Sequence, residues 1–351
     1  MATPSSTTVL VTGGSGFIGS YVILALLSGG YTVRTTIRNL SRSPSVLTTL
    51  KNGGATPASL ERLTFSAASL DHDDGWAEAV QGCTYVHHVA SPFPPELPKH
   101  EDDIIIPARE GTLRVLKAAA AAGVKRVVVT SSFGAVEYGH PPRKEPFTEE
   151  DWTILDGPVK VMPYMKSKTI AEKAAWAFVE SDANAGKMEL ATVAPLMVFG
   201  PALGKELSTS LLAIKKLMDG SVPGCPNLYF ATVDVRDVAS LHLLAMTRPE
   251  AANQRFIAAG SDPAASMLQL GKIIREKRPQ HAKKVPTIQV PNFLVHILAI
   301  FDKPVRQVLS DLGKVSQGSN KKAREILGWE PRGIEESVVD TVDSLVKYVL
   351  V

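Results

Sequence analysis

Thr8-Val9-Leu10-Val11-Thr12-Gly13-Gly14-Ser15-Gly16-Phe17-Ile18-Gly19 is the stretch that decides the fold. Its first five residues are β-branched or aliphatic and read as a buried strand, and from Phe17 to Leu27 apolar residues recur at helical spacing until Gly29-Gly30 stops them. Between strand and helix the glycines follow the pattern TGxxGxxG. Gly13 permits the tight turn, Gly16 lets the backbone approach a pyrophosphate, and Gly19 lets the helix pack close to the strand. Exposed N–H groups at the start of the helix would then receive phosphates, with the helix dipole favouring their charge. The expected ligand is a dinucleotide, held also by Ser15, Phe17 and Ile18 of the same turn.

Outward from this turn, Thr32 to Ile37 reads as a second strand, Leu63 to Ser66 as a third, Thr84 to Val89 as a fourth, Arg126 to Thr130 as a fifth and Glu189 to Val193 as a sixth. Helices are expected at about Pro107 to Ala122 and at Tyr164 to Val179. Strands alternating with helices predict an α/β, doubly wound parallel sheet. After Gly200 the alternation fails and prolines at 201, 223 and 226 interrupt the chain. The expected organisation is a nucleotide domain over residues 1–200, continued by about 227–260. Residues 201–226 and 261–351 then form mainly a smaller, partly interleaved carboxyl-terminal substrate lobe.

Composition fits a soluble globular chain: 44% hydrophobic and 21% charged, with a formal charge of +3 spread along 351 residues. No basic block marks a nucleic-acid footprint, so the expected partner is a small molecule, with neither nucleic acid nor membrane involved and the protein a monomer or homodimer. Two cysteines, Cys83 and Cys225, offer no metal or disulfide spacing, and no metal is expected. The first eight residues lack the pattern of a secretion signal, which points to the cytoplasm. The apolar run Phe293 to Phe301 is about half a membrane span.

At the end of the second strand, where a carboxylate would bind a ribose 2′-hydroxyl, stand Arg34 and Arg38. Guanidinium groups there suit a 2′-phosphate through charge-assisted hydrogen bonds, so NADPH is the expected cofactor. Tyr164 and Lys168 lie four apart on one helix face. A free tyrosine titrates near about 10, and an adjacent ammonium and the positive charge of an oxidised nicotinamide are together expected to lower it toward useful proton transfer. Ser132, after the fifth strand, is placed to hold an oxygen on which negative charge develops. His87 and His88 read as packing, as do Trp152, Trp176 and Trp329.

These motifs, with His88-Val89-Ala90-Ser91-Pro92-Phe93, Thr130-Ser131-Ser132, Pro195-Leu196-Met197-Val198-Phe199-Gly200-Pro201 and Val233-Asp234-Val235-Arg236-Asp237-Val238-Ala239, resemble the extended short-chain dehydrogenase/reductase superfamily over nearly the whole chain. Within it the likeness is to the branch of methylglyoxal, carbonyl and dihydroflavonol reductases. The resemblance implies a Rossmann-type nucleotide domain, NADPH-dependent reduction of an aldehyde or ketone, and Ser132, Tyr164 and Lys168 as the catalytic set. It also implies that Ala90, Ser91, Pro92, Pro195, Leu196 and Val198 line the nicotinamide, and that Phe93, Phe133 and Met197 join Ser132 and Tyr164 in the substrate pocket. One departure concerns adenine: relatives place an acidic residue after the third strand, whereas here Ser69 and Leu70 stand there with Asp71 following, and Ser69 and Asp71 both stay open. The alternatives are a nucleotide-sugar epimerase or dehydratase, which needs a basic clamp on a diphosphate, and a non-enzymatic NADP-sensing regulator.

Overall fold

The computed structural model describes residues 4–92, 98–301, 306 and 309–351. In chain order its strands are β1 Thr8–Thr12, β2 Thr32–Ile37, β3 Leu63–Ala67, β4 Tyr85–His88, β5 Arg126–Thr130, β6 Glu189–Pro195, β7 Met197–Phe199, β8 Tyr229–Phe230, β9 Thr232–Asp234, β10 Gln254–Ala258 and β11 Ala265–Ser266. The helices are α1 Phe17–Ser28, α2 Ser43–Asn52, α3 Pro57–Leu60, α4 Trp76–Val80, α5 Asp102–Ala121, α6 Pro163–Glu180, α7 Thr209–Asp219, α8 Val235–Thr247, α9 Met267–Lys277, α10 Asn292–Phe301, α11 Lys321–Leu327 and α12 Ile334–Lys347. No helix among the described residues is long and apolar enough to cross a membrane.

The chain divides into two compact units. The first, Met1–Pro195 with Arg236–Ala258 and Ser319–Trp329, is built on a seven-stranded sheet ordered β10-β6-β5-β4-β1-β2-β3, every pairing of which is parallel. This is a Rossmann-like doubly wound α/β sheet. Val9, Leu10 and Val11 are fully buried, as a central strand covered by helices on both faces requires. Leu10, Val86, Leu116, Val127 and Leu190 share one apolar cluster with Trp76. Each such side chain contributes about 1.5–3 kcal/mol on full burial. Strand order reverses at β1, with β2 on one side and β4 on the other, and open α/β sheets bind ligands at such a point, beyond the carboxyl ends of the strands.

The second unit, Leu196–Val235 with Ala259–Gly318 and Glu330–Val351, has its own core around Phe199, Ile214, Leu217, Leu270, Ile274, Val342 and Leu345. There β7 runs parallel to β9, and β8 pairs antiparallel with β11. Gly200, at φ +123°, sits where a Cβ would fall 2.8 Å from Val235 Cγ1. Its backbone is fastened to α12, because its N–H donates to Thr341 Oγ1 at 2.9 Å and its carbonyl accepts the Thr341 hydroxyl at 3.0 Å.

Two features differ from the sequence-based expectation. Helix α5 begins at Asp102 and carries Pro107 inside it rather than starting there. Asp102 and Asp103 in its first turn complement the helix dipole. The units also divide otherwise than expected: the first ends at Pro195 rather than Gly200, residues 227–235 belong to the second, and Ser319–Trp329 returns to the first. That return has a physical cause, since the buried Trp329 indole donates to Asp237 O at 3.0 Å and to Ser240 Oγ at 3.1 Å on α8.

Candidate active site

The glycine turn is closed by backbone that only glycine tolerates. Gly13 sits at φ +73°, and a Cβ there would lie 2.9 Å from Ala90 Cα. At Gly19 a Cβ would lie 2.3 Å from Gly13 O, so α1 rests directly on the turn. Gly16 is the N-cap of α1 with no side-chain cap, and its own N–H donates to Gly13 O at 2.9 Å. The amides that follow therefore face outward without a side-chain oxygen competing for them. Ser15 is exposed and Phe17 and Ile18 half-buried at this mouth, where Phe17 meets Tyr21 edge to face at 5.7 Å. An uncapped helix start behind glycines fits a pyrophosphate.

Thr12 fastens this turn to the chain after β4. Its Oγ1 accepts from Val89 N at 3.1 Å and from Ala90 N at 3.0 Å, and lies 2.9 Å from His88 Nδ1. A hydroxyl has two lone pairs and one proton, so with both pairs taken the proton goes to Nδ1, and the neutral His88 ring carries its own proton on Nε2. Burial, aided by the nearby Lys168 ammonium, pushes the His88 pKa down to about 3. Ala90 and Ser91 line a cavity of about 10 Å³ together with His88, Ser131, Lys168 and Glu172, space for roughly one water. Pro92 follows, half-buried, while Phe93 lies outside the described residues.

Ser132 caps the short turn after β5, its Oγ accepting from Gly134 N at 3.0 Å. The same side chain hydrogen-bonds the Tyr164 hydroxyl. Tyr164 stands at the start of α6, preceded by Pro163 in the first helical turn, where its missing N–H costs nothing. Lys168 follows one turn later, with Nζ 5.9 Å from the Tyr164 ring centroid. Burial pushes Lys168 down to about 8 against the pull of Glu172. Without the nicotinamide's charge, burial raises the Tyr164 pKa above the ordinary value, and the Ser132 hydrogen bond only partly offsets this. In the free chain burial thus favours the protonated phenol.

Other expected residues fall as follows. Arg34 is a correction: its guanidinium donates to the carbonyls of Ala79 at 2.9 Å and Gln81 at 2.8 Å, at the carboxyl end of α4, and is committed there rather than to a phosphate. Arg38 is exposed just beyond β2. Ser69 Oγ and Asp71 Oδ2 are hydrogen-bonded to each other at 3.2 Å, and the carbonyl of Leu70 receives the Arg114 guanidinium. Phe133 is 5% exposed and packs edge to face on Phe147 at 6.0 Å. Pro195 is buried at the end of β6. Leu196 and Val198 are buried and Met197 half-buried where the second unit begins.

Sequence reasoning gave no site role to Thr12, which it quoted only within the glycine motif, to His88, which it read as packing, or to Glu172. Glu172 extends the spacing of Tyr164 and Lys168 by one more turn on the same face, a signal present in the sequence. Its buried carboxylate accepts Ser131 Oγ at 2.5 Å, Thr192 Oγ1 at 2.9 Å and Arg255 Nε at 2.8 Å. His87 turns to the other face of β4, where its Nδ1 lies 3.2 Å from Nδ1 of His242.

Against known proteins, residues 9–260 match the model of the NAD dependent epimerase/dehydratase family. The chain is 36% identical over 341 residues to a cinnamoyl-CoA reductase of Medicago truncatula, covering 96% of this chain and 95% of that one. It is 33% identical over 290 residues to a dihydroflavonol 4-reductase of Zea mays, covering 80% and 78%. Its structure is similar to the crystal structure of yeast methylglyoxal/isovaleraldehyde reductase complexed with NADPH, at a TM-score of 0.79 and 27% identity over 98% of this chain and 99% of that chain. A matching model over most of the chain, on a seven-stranded parallel sheet, establishes the conclusion: the chain belongs to the NAD dependent epimerase/dehydratase family of extended short-chain dehydrogenases/reductases.

Proposed function

We propose that the chain is an NADPH-dependent reductase that converts an aldehyde or ketone to its alcohol. The observation that carries this reading is the hydrogen bond between Ser132 and Tyr164, one helical turn from Lys168, in the unit that also carries the uncapped glycine turn. The relatives' names point the same way: a cinnamoyl-CoA reductase, a dihydroflavonol 4-reductase, and a methylglyoxal/isovaleraldehyde reductase whose structure holds NADPH.

NADPH, when bound, supplies the hydride. The amides after Gly16 would hold its pyrophosphate, Arg38 its 2′-phosphate, and Ala90 to Pro92 the nicotinamide end. Ser132, whose Oγ accepts from Gly134 N and whose O–H is shared with Tyr164 in the free chain, turns that O–H to the substrate oxygen and orients it while negative charge develops there. Tyr164 delivers its phenolic proton to that oxygen, a role suited to a group that burial keeps protonated. Lys168 steadies the phenolate that results.

The test is NADPH absorbance followed against a panel of aldehydes, diketones, aromatic ketones and flavanonols, with NADH in parallel. Oxidation of NADPH by one class, with NADH much poorer, supports the reading. Tight retention of NAD with turnover only on a nucleotide sugar, or no oxidation across the panel, overturns it.

A further inference from the structure

Below Lys168 the polar interior of the first unit continues rather than ending. Glu172 is 2% exposed, yet it carries a carboxylate with partners on three strands' worth of chain: Ser131 after β5, Thr192 on β6 and Arg255 on β10. A buried carboxylate costs several kcal/mol unless paired and hydrogen-bonded. Arg255 is itself braced, its guanidinium 3.6 Å over the Trp152 ring and donating to the carbonyls of Glu149 and Asp151. On the other side Glu172 and Lys168 line the same small cavity.

We propose that Glu172 is a positioning residue that keeps Lys168 an ammonium, its carboxylate held by Arg255 on one side and, one helical turn from Lys168, lining the same small cavity on the other. The arrangement bears on how a lysine so buried can serve: burial disfavours its charged form, and the nearby Glu172 carboxylate favours it. Among the described residues, other groups facing the pair are few. His88 on β4 is neutral and proton-bearing on Nε2, Tyr164 is a phenol, and the α5 residue lining the cavity is Thr112, which has no charge. Glu149 faces Arg255 and Lys322 beyond, its Oε1 accepting Ile257 N at 2.9 Å. His242 enters only through Thr130, at 3.1 Å.

This inference rests on the reading of Lys168 as part of the active site, but its test does not use turnover. The full chain is labelled with carbon isotope at the lysine ε-position, the Lys168 signal is identified by its loss in Lys168→Met, and its titration is followed in the free protein. Glu172→Gln is expected to lower the Lys168 midpoint by about one pH unit, a tenfold loss of proton affinity. Arg255→Met, which frees the carboxylate from its other partner, is expected to raise the midpoint. Opposite shifts are not produced by a residue that merely packs. An unmoved midpoint in either variant overturns the proposal, and should Glu172→Gln not fold, Arg255→Met decides alone, an unmoved or lowered midpoint overturning it. Loss of turnover in Tyr164→Phe beside unmoved midpoints would show the active-site reading sound and only this proposal wrong.

Discussion

Replacing Gly19 with alanine puts one methyl group where the structure has no room. The new Cβ would lie 2.3 Å from Gly13 O, 3.0 Å from Gly13 C and 3.2 Å from Gly14 Cα. Carbon and oxygen settle near about 3.3 Å or beyond, so helix and turn must part by roughly 1 Å. Overpacking of this kind costs about 1–3 kcal/mol. Since about 1.4 kcal/mol is tenfold in affinity, NADPH binding should weaken by about tenfold to a hundredfold where the strain falls on the turn. Gly16→Ala is the contrasting variant, because its Cβ would meet only Gly13 O, at 3.3 Å, and faces outward. Nucleotide fluorescence titration and thermal unfolding together separate the two. Gly19→Ala is expected to lower both the NADPH affinity and Tm, whereas Gly16→Ala lowers affinity with Tm nearly unchanged. A Gly19→Ala protein that binds NADPH as the parent does would refute the reasoning.

Arg38→Ala is expected to weaken NADPH by about tenfold or more while leaving NADH unaffected, as loss of a charge-assisted hydrogen bond of about 1.5–3 kcal/mol requires. Arg34→Met should instead lower Tm with cofactor preference unchanged, and competition between the two nucleotides checks both. Stability should fall as the medium is acidified below about pH 6.5, the unfolded histidine value, because the unfolded chain then binds protons that the native one refuses. His88 and His242 stay neutral in the fold down to about 3, and burial holds His87 well below its ordinary value too. Urea unfolding at a series of pH values should show the loss growing from about 6.5 toward 3, and His242→Asn should flatten part of that slope.

How much of this was legible beforehand depends on the scale of the forces involved. β1 and its glycine turn were readable because buried parallel strands and left-handed turns restrict residue type locally. The face shared by Tyr164 and Lys168 was readable from helix geometry, and Glu172 lay on it in plain view. Arg34 was not, since nothing in TVRTTI says that α4 ends beside it and offers open carbonyls. The packing of Phe133 on Phe147, fourteen positions on, was not readable either, since no local pattern pairs them. The return of Ser319–Trp329 to the first unit is set by Trp329 meeting α8 across 92 positions of chain, a contact no local pattern encodes.

The most direct measurement is the single-turnover rate of NADPH oxidation by Tyr164→Phe beside the parent chain, with NADPH affinity measured on both. The phenol oxygen is lost while the ring remains, so the account predicts affinity within about twofold of the parent and a rate lower by about a hundredfold or more, the usual scale of a lost general acid. A variant that binds NADPH normally and turns over at the parent rate would contradict it.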